Sequence, residues 1–149
     1  GMARYFISKE LENKNIKPLN IISKNAYVDN KKLLGRGVQL FPNSVVHTNA
    51  RIGDYSILNT GSILEHDCIV GNGVHIMPGA VIGGNAVIGD YVSIGLNATV
   101  MPKVQIGEGA YIGAGAVVMN DVKKNEVVAG NPAKYLKKIE HMVNLDIFK

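Results

Sequence analysis

The chain of 149 residues has no tryptophan, three phenylalanines and a single cysteine, Cys68. One cysteine excludes an internal disulfide framework and suits a reducing, cytoplasmic setting. With so few large aromatics, a core must be built from small and branched aliphatic side chains. No apolar run is long enough to span a membrane, and the N-terminus lacks the apolar core of a secretion signal. Basic residues form no continuous run and have no aromatic platform beside them, which argues against nucleic-acid binding. Charge is spread unevenly: residues 1–27 sum to +3, residues 28–119 to −1 and residues 120–149 to +2. The basic C-terminal segment is either a solvated tail or a surface for an anionic ligand. The length fits one domain.

What the chain has instead is a repeat. Every sixth residue from Val28 to Val118 is Val, Leu or Ile, sixteen positions with no insertion. Two residues before each aliphatic lies a second series, mostly small: Ala26, Ser44, Ala50, Ser56, Ser62, Cys68, Ala80, Ala86, Ala98, Ala110 and Ala116, with some Val and one departure at Lys32. A spacing of two puts both residues on one face of a strand. That face is inward, and the interior is narrow. Three residues after each aliphatic, eleven of fifteen positions from 31 to 115 are Gly, Asn or Asp, the residues that tolerate positive φ. Each unit is thus a short strand and a sharp corner. Three units close a coil of eighteen residues, and sixteen units make a little over five coils, about 4.8 Å apart.

This pattern resembles the left-handed parallel β-helix of the hexapeptide acyltransferases, an all-β fold. The left hand is implied by the resemblance alone, since the general crossover rule gives a right hand. The expected division is an N-terminal extension over 1–22, the β-helix over 23–122, and a C-terminal loop and helix over 123–149. A helix is expected over 4–15. A second is expected over 132–146, with Asn131 as N-cap, Pro132 in the first turn, and Leu136, Ile139, Met142 and Val143 as its apolar stripe. It would cover the strand edges of the last coil.

Residues eighteen apart occupy the same place on successive coils. One outward column reads Tyr27, Val45, Ile63, Val81, Thr99, Val117 and is apolar almost throughout. Such a stripe marks an association surface or is simply solvent-facing. The family packs such faces around a threefold axis, so the resemblance implies a homotrimer.

Four histidines are candidates for chemistry: His47, His66, His75 and His141. His66 stands in Glu65-His66-Asp67-Cys68, at a corner beside the apolar stripe. Flanked by carboxylates, its imidazole can take a proton from an amine or hydroxyl attacking a thioester, or it is a plain surface histidine. Cys68 falls in the inward series and reads as core. His47 and Glu65 share a column, so a metal site with His66 is conceivable, but no Cys/His spacing supports it and no metal is expected.

The run from Pro18 to Lys134 resembles the β-helix of the sialic acid O-acetyltransferase and sugar-nucleotide N-acetyltransferase branch. The likeness rests on Asn20-Ile21-Ile22-Ser23, Glu65-His66-Asp67-Cys68 and His75-Ile76-Met77-Pro78-Gly79-Ala80. It rests also on Ile112-Gly113-Ala114-Gly115-Ala116-Val117-Val118 and Gly130-Asn131-Pro132-Ala133-Lys134. It implies acetyl transfer from acetyl-CoA, the cosubstrate, to an amino or hydroxyl group of a sugar or sugar nucleotide. It makes His66 the general base and Asp67 the residue that raises its basicity. His75, Leu96, Ala114 and Lys134 are implied for acetyl-CoA, the backbone of Leu96 and Ala114 meeting the pantetheine. Asn59 and Glu65 are implied for the acceptor. Relatives hold the nucleotide or sugar in an N-terminal α/β domain, where this sequence has about twenty residues without a glycine-rich loop. Two other readings stand beside this one: a serine- or antibiotic-type O-acetyltransferase, and a catalytically silent β-helix assembly module. Nine residues, half a coil, separate His66 from His75, so within one chain the two point apart.

Overall fold

The structure is a computed structural model that describes residues 2–140. Strands of two residues recur every six residues from Gln39–Leu40 to Val117–Val118, each followed by a corner. They form three parallel sheets, the faces of a prism. The first face carries Ile21–Ile22, Gln39–Leu40, Ile57–Leu58, His75–Ile76, Ser93–Ile94 and Tyr111–Ile112, and ends in Glu126–Ala129 and Lys134–Lys138. The second carries Tyr27–Val28, Val45–Val46, Ile63–Leu64, Val81–Ile82, Thr99–Val100 and Val117–Val118. The third carries Arg51–Ile52, Ile69–Val70, Val87–Ile88 and Gln105–Ile106. Each strand pairs with the one eighteen residues on, as in Ile57↔His75, His75↔Ser93 and Ser93↔Tyr111. The chain is a parallel β-helix of hexapeptide repeats.

From Val38 and Leu40 onward both inward series are buried, while Ala26, Val28 and Leu34 of the first coil are half-buried. Leu58, Leu64, Ile76, Ile82 and Ile94 are inaccessible to solvent, as are Cys68, Ala80, Ala86, Ala98 and Ala116 between them. Large and small residues alternate on the inward face, which suits a narrow prism. Ser44, Ser56 and Ser62 lie in the same series. A hydroxyl buried there must find a partner. Each finds one within the corners, donating to the carbonyls of Phe41, Gly71 and Asn59 respectively.

The corner positions from 37 to 115 all take positive φ, between 52° and 70°. Tyr55 and Tyr91 do so although bulky residues disfavour it. The N-terminal helix, Met2–Asn13, supplies a compensating contact. Its Tyr5 ring packs edge-on against Tyr55 and Tyr91, with centroids 5.6 and 5.3 Å away. Gly73 stands between the two tyrosines on the intervening coil. A β-carbon there would lie 3.0 Å from Tyr5 Cβ, so the glycine leaves room for the ring. Arg4 donates to the carbonyls of Gly37 and Tyr55, and Arg36 bridges Glu12 and Asp54. This helix was expected over 4–15 and begins and ends two residues earlier, within the ordinary uncertainty of helix ends.

The upper end departs from expectation twice. The repeat does not stop at Val118. Val122 and Val128 are buried and pair with Ile106 and Ile112, sixteen rather than eighteen residues earlier. The corner after Val118 is two residues short, which moves the aliphatic phase off position 124. Asp121 mends the ladder there, its carboxylate accepting the Gln105 N–H at 2.8 Å. The second departure is the helix expected over 132–146. Lys134–Lys138 is a strand, antiparallel to Glu126–Ala129, and residues 141–149 lie outside the described residues. Gly130-Asn131-Pro132-Ala133 is a turn that brings the chain back onto an open sheet edge. The unpaired N–H and C=O groups of that edge outweigh a local capping signal, because each satisfied pair is gained without ordering an isolated helix. The expected covering of the last coil is thus made by a strand.

Among the described residues no helix is long and apolar enough to cross a membrane. The register carries a direct test. Ile88 is 1% exposed in the middle of the third face. Ile88→Asp places an uncompensated carboxylate in the prism, at a cost of several kcal/mol. Circular dichroism should show loss of the cooperative melt; a soluble variant melting as the parent does would refute the inward placement.

Candidate functional site

The three faces meet at three corners, and the residues singled out in the sequence divide between two of them. His66 and Asp67 sit at the corner where the second face turns into the third. Asp67 takes φ 59°, as the corner requires, and its N–H donates to the Thr48 carbonyl of the coil below. This fixes the backbone and turns the carboxylate towards its neighbour. His66 Nδ1 lies 2.8 Å from Asp67 Oδ2, with both side chains about half exposed (52% and 45%). The hydrogen bond from His66, and after it one from Asn49, holds the Asp67 carboxyl below its usual range. A carboxylate at Nδ1 keeps the proton on that nitrogen, so the lone pair is presented at Nε2.

Gly84, one coil further, lies under the imidazole. A β-carbon on it would stand 2.6 Å from His66 Nε2 and 2.7 Å from Cε1. Sequence reasoning passed over this glycine. The signal was there in the spacing, since Gly84 is eighteen residues after His66. Glu65, at the first position of the same corner, is half-buried, with its N–H on the Ile82 carbonyl. Cys68 is wholly buried, its thiol donates to the Gly83 carbonyl at 3.2 Å, and burial pushes its pKa up. It is a core residue. His47 is exposed, and no three His, Cys, Asp or Glu among the described residues gather as a metal site would require. His141 lies outside the described residues.

The second group belongs to the first face and to its corner with the second. His75 lies on the first face, half-buried, with its Nε2 3.4 Å from the Asn59 amide nitrogen. Asn59 also accepts the N–H of Thr60 through its Oδ1. Leu96 and Ala114 stack on adjacent coils at the corner, both exposed. The residues preceding them, Gly95 and Gly113, leave the backbone bare. At the corner between the third and first faces, the equivalent N–H groups of Arg36, Asp54 and Asn72 are each capped by a side chain of the next coil. Among the described residues the N–H groups of Leu96 and Ala114 have no such cap, and they form a short ladder of donors. Lys134 pairs with Ala129, which lies beside Gly113, so this lysine stands near the upper end of that ladder.

The second face separates the two groups. Its outward column has Val45, Ile63, Val81, Thr99 and Val117 half-buried and Tyr27 exposed. A cavity of about 440 Å³ opens between the N-terminal helix and the first face, lined by Arg4, Ser8, Gln39 and Tyr55 among others. A second, of about 260 Å³, opens between Ile21 and Pro42. Neither of these two cavities is lined by His66, His75 or Ala114.

Burial lowers the His75 pKa below the ordinary imidazole value, and nearby positive charge, including Arg4, acts in the same direction. The unfolded chain therefore takes up this proton first as pH falls. The contribution to stability is complete above pH ~6.5 and is lost as pH drops from there towards the folded-state value. Melting temperature should fall between about pH 7.5 and 5.5, and fall less in His75→Gln. Equal falls in both proteins would overturn this assignment.

A family model described as bacterial transferase hexapeptide (six repeats) matches residues 67–95 and 85–120. No curated protein matches the chain in sequence. Solved structures do. The acetyltransferase domain of PglB from Neisseria gonorrhoeae, in complex with acetyl coenzyme A, is 32% identical, with a TM-score of 0.83 over 90% of this chain and 67% of that one. WeeI from Acinetobacter baumannii is 32% identical, with a TM-score of 0.81 over 90% and 68%. A histidine-substituted GDP-perosamine N-acetyl transferase from Caulobacter crescentus, in complex with CoA and GDP-perosamine, is 29% identical, with a TM-score of 0.84 over 91% and 67%. With the eighteen-residue coils, the His66–Asp67 pair and the bare backbone ladder alongside these likenesses, the chain belongs to the hexapeptide-repeat acyltransferase superfamily, in its sugar-nucleotide N-acetyltransferase branch.

Proposed function

We propose that this protein transfers the acetyl group of acetyl-CoA to the amino group of a sugar nucleotide, with His66 as general base. The observation that carries this reading is the His66–Asp67 pair, with Nδ1 engaged at 2.8 Å and Nε2 turned over Gly84. The similar structures with CoA and GDP-perosamine bound support the substrate classes. They favour the sugar reading over a serine- or antibiotic-type O-acetyltransferase or a silent assembly module.

The reaction follows from the groups at hand. The acceptor nitrogen attacks the thioester carbonyl carbon, and Nε2 of His66 takes the proton that this nitrogen loses. Collapse of the tetrahedral intermediate breaks the carbon–sulfur bond. The imidazolium returns its proton to the leaving thiolate, which regenerates the base. Asp67 holds the tautomer and stabilises the transient positive charge. The open N–H groups of Leu96 and Ala114 suit the amides of the pantetheine arm, and Lys134 suits its phosphates. Asn59 and Glu65 are assigned to the acceptor. The neutral form of His75, favoured by burial, suits a place beside an uncharged thioester.

The half coil between His66 and His75 implies that two chains build each site. The apolar column through Ile63 and Val81 is assigned as the surface that joins them, in a homotrimer with a cleft at each junction. One chain contributes His66 and the next contributes His75 with the backbone ladder. The geometry a reaction needs, reacting atoms about 3–3.5 Å apart, then becomes attainable.

Four measurements test this. Light scattering should give about three times the 16.0 kDa of one chain, and Ile63→Lys should dissociate the assembly; a monomer at micromolar concentration would refute it. His66→Ala should lower turnover by roughly 10²–10⁴ with acetyl-CoA affinity nearly intact. Mixed trimers of His66→Ala and His75→Ala should regain part of the activity, and background activity after verified subunit exchange would exclude a shared site. Gly84→Ala, at a position of ordinary φ, should leave the melt unchanged but push the imidazole aside and lower turnover at least tenfold, roughly the effect of disturbing one catalytic hydrogen bond. Unaltered turnover would show that the ring does not depend on this seat.

A further inference from the structure

Asp67 has two carboxylate oxygens and divides them. Oδ2 faces His66 Nδ1, while Oδ1 accepts a hydrogen bond of 3.1 Å from the side-chain amide of Asn49. Asn49 and Asp67 are eighteen residues apart and take the same backbone conformation, with φ 58° and 59°. Their side chains therefore leave the corner in the same direction, one coil above the other. The backbone on either side is tied down. Asp67 N–H bonds to the Thr48 carbonyl, and Asn85 N–H bonds to the His66 carbonyl.

A carboxylate on a fixed backbone still turns about its last two bonds. A single contact with His66 leaves that rotation free, because either oxygen serves equally well. A second contact at the other oxygen removes the equivalence and sets the plane of the group. We propose that Asn49 is a positioning residue of the acetyl transfer: it locks the Asp67 carboxylate so that Oδ2 alone meets His66, and thereby keeps the imidazole proton on Nδ1 and the lone pair on Nε2. The proposal rests on the general-base reading of His66. It adds a member from a neighbouring coil that touches neither substrate. Asn49 is exposed and outside the prism, so packing does not account for an amide at this point. Positive φ would be met as well by glycine, so backbone conformation does not account for it either.

That last fact makes the test clean. Asn49→Gly keeps the backbone conformation and removes only the amide. In the full-length assembled protein, its melting temperature should stay close to that of the parent. Turnover should fall roughly three- to tenfold, the effect of one hydrogen bond, with the KM for acetyl-CoA unchanged. Nitrogen-15 spectra of the neutral His66 ring should change from one tautomer, protonated at Nδ1, to a mixture. Asn49→Asp, which sets a second carboxylate against Oδ1, should lower turnover further. In an Asp67→Asn background, Asn49→Gly should have no additional effect, because its influence passes through Asp67. Parent-like turnover with a single tautomer in Asn49→Gly would overturn the proposal, and so would full additivity with Asp67→Asn. The tautomer measurement needs no turnover. If His66→Ala proved fully active, the general-base reading would fall, while the ring spectra would still decide whether Asn49 governs the pair.

Discussion

Everything in this molecule depends on the hydrogen-bonded ladder between coils. Each strand donates to the coil above, as Ile57 does to Val74 and His75 to Val92, and the rungs repeat at eighteen residues. Because adjacent strands lie about 4.8 Å apart, the rungs leave no slack, and a residue's place is its number counted in eighteens. Three positions in each six are committed by that arithmetic. Two face a prism too narrow for two large side chains, and one turns the corner at positive φ. The remaining positions face outward, and the candidate chemistry draws on them and on the side chains of two corner residues, Asn49 and Asp67.

The ladder also explains why the candidate site is divided. A corner can present a side chain or a stretch of bare backbone, but on each coil it presents only one. At the corner of Leu96 and Ala114, backbone donors are left without a cap among the described residues. At the corner of His66 and Asp67, a side-chain pair is held outward over Gly84. The width of the second face stands between them, and no rearrangement of a rigid prism brings them together. In the proposed homotrimer, association across the apolar second face joins them at little conformational cost, since neither half has to move. On that proposal, catalytic geometry is a property of the assembly.

Departures from the repeat occur where the ladder is opened or interrupted. At the upper end two residues are missing from a corner, and Asp121 replaces a backbone acceptor with a carboxylate oxygen. The chain then spends Lys134–Lys138 on the last free edge of the first face. At the side, the N-terminal helix buries none of its own residues fully, yet it fills the gaps between Tyr55 and Tyr91 with Tyr5. Such contacts carry no period and join residues fifty or more positions apart.

The period, the inward register, the positive-φ corners and the grouping of His66 with Asp67 and of Leu96 with Ala114 were legible in the amino-acid sequence. All of them follow from a spacing of six in a chain without insertions, and a regular ladder converts spacing directly into position. The N-terminal helix, expected over 4–15, lies within two residues of that span at each end. Four features were settled only by tertiary structure. The last coil was hidden because a two-residue deletion breaks the phase while the aliphatic residues Val122 and Val128 remain. The strand at Lys134–Lys138 was hidden because its helix-like cap and stripe are local signals, and an open sheet edge outweighs them. The seat of the His66 ring on Gly84 and the bond from Asn49 to Asp67 lie between coils. They depend on side-chain direction at a corner, which a one-dimensional count of residues does not contain.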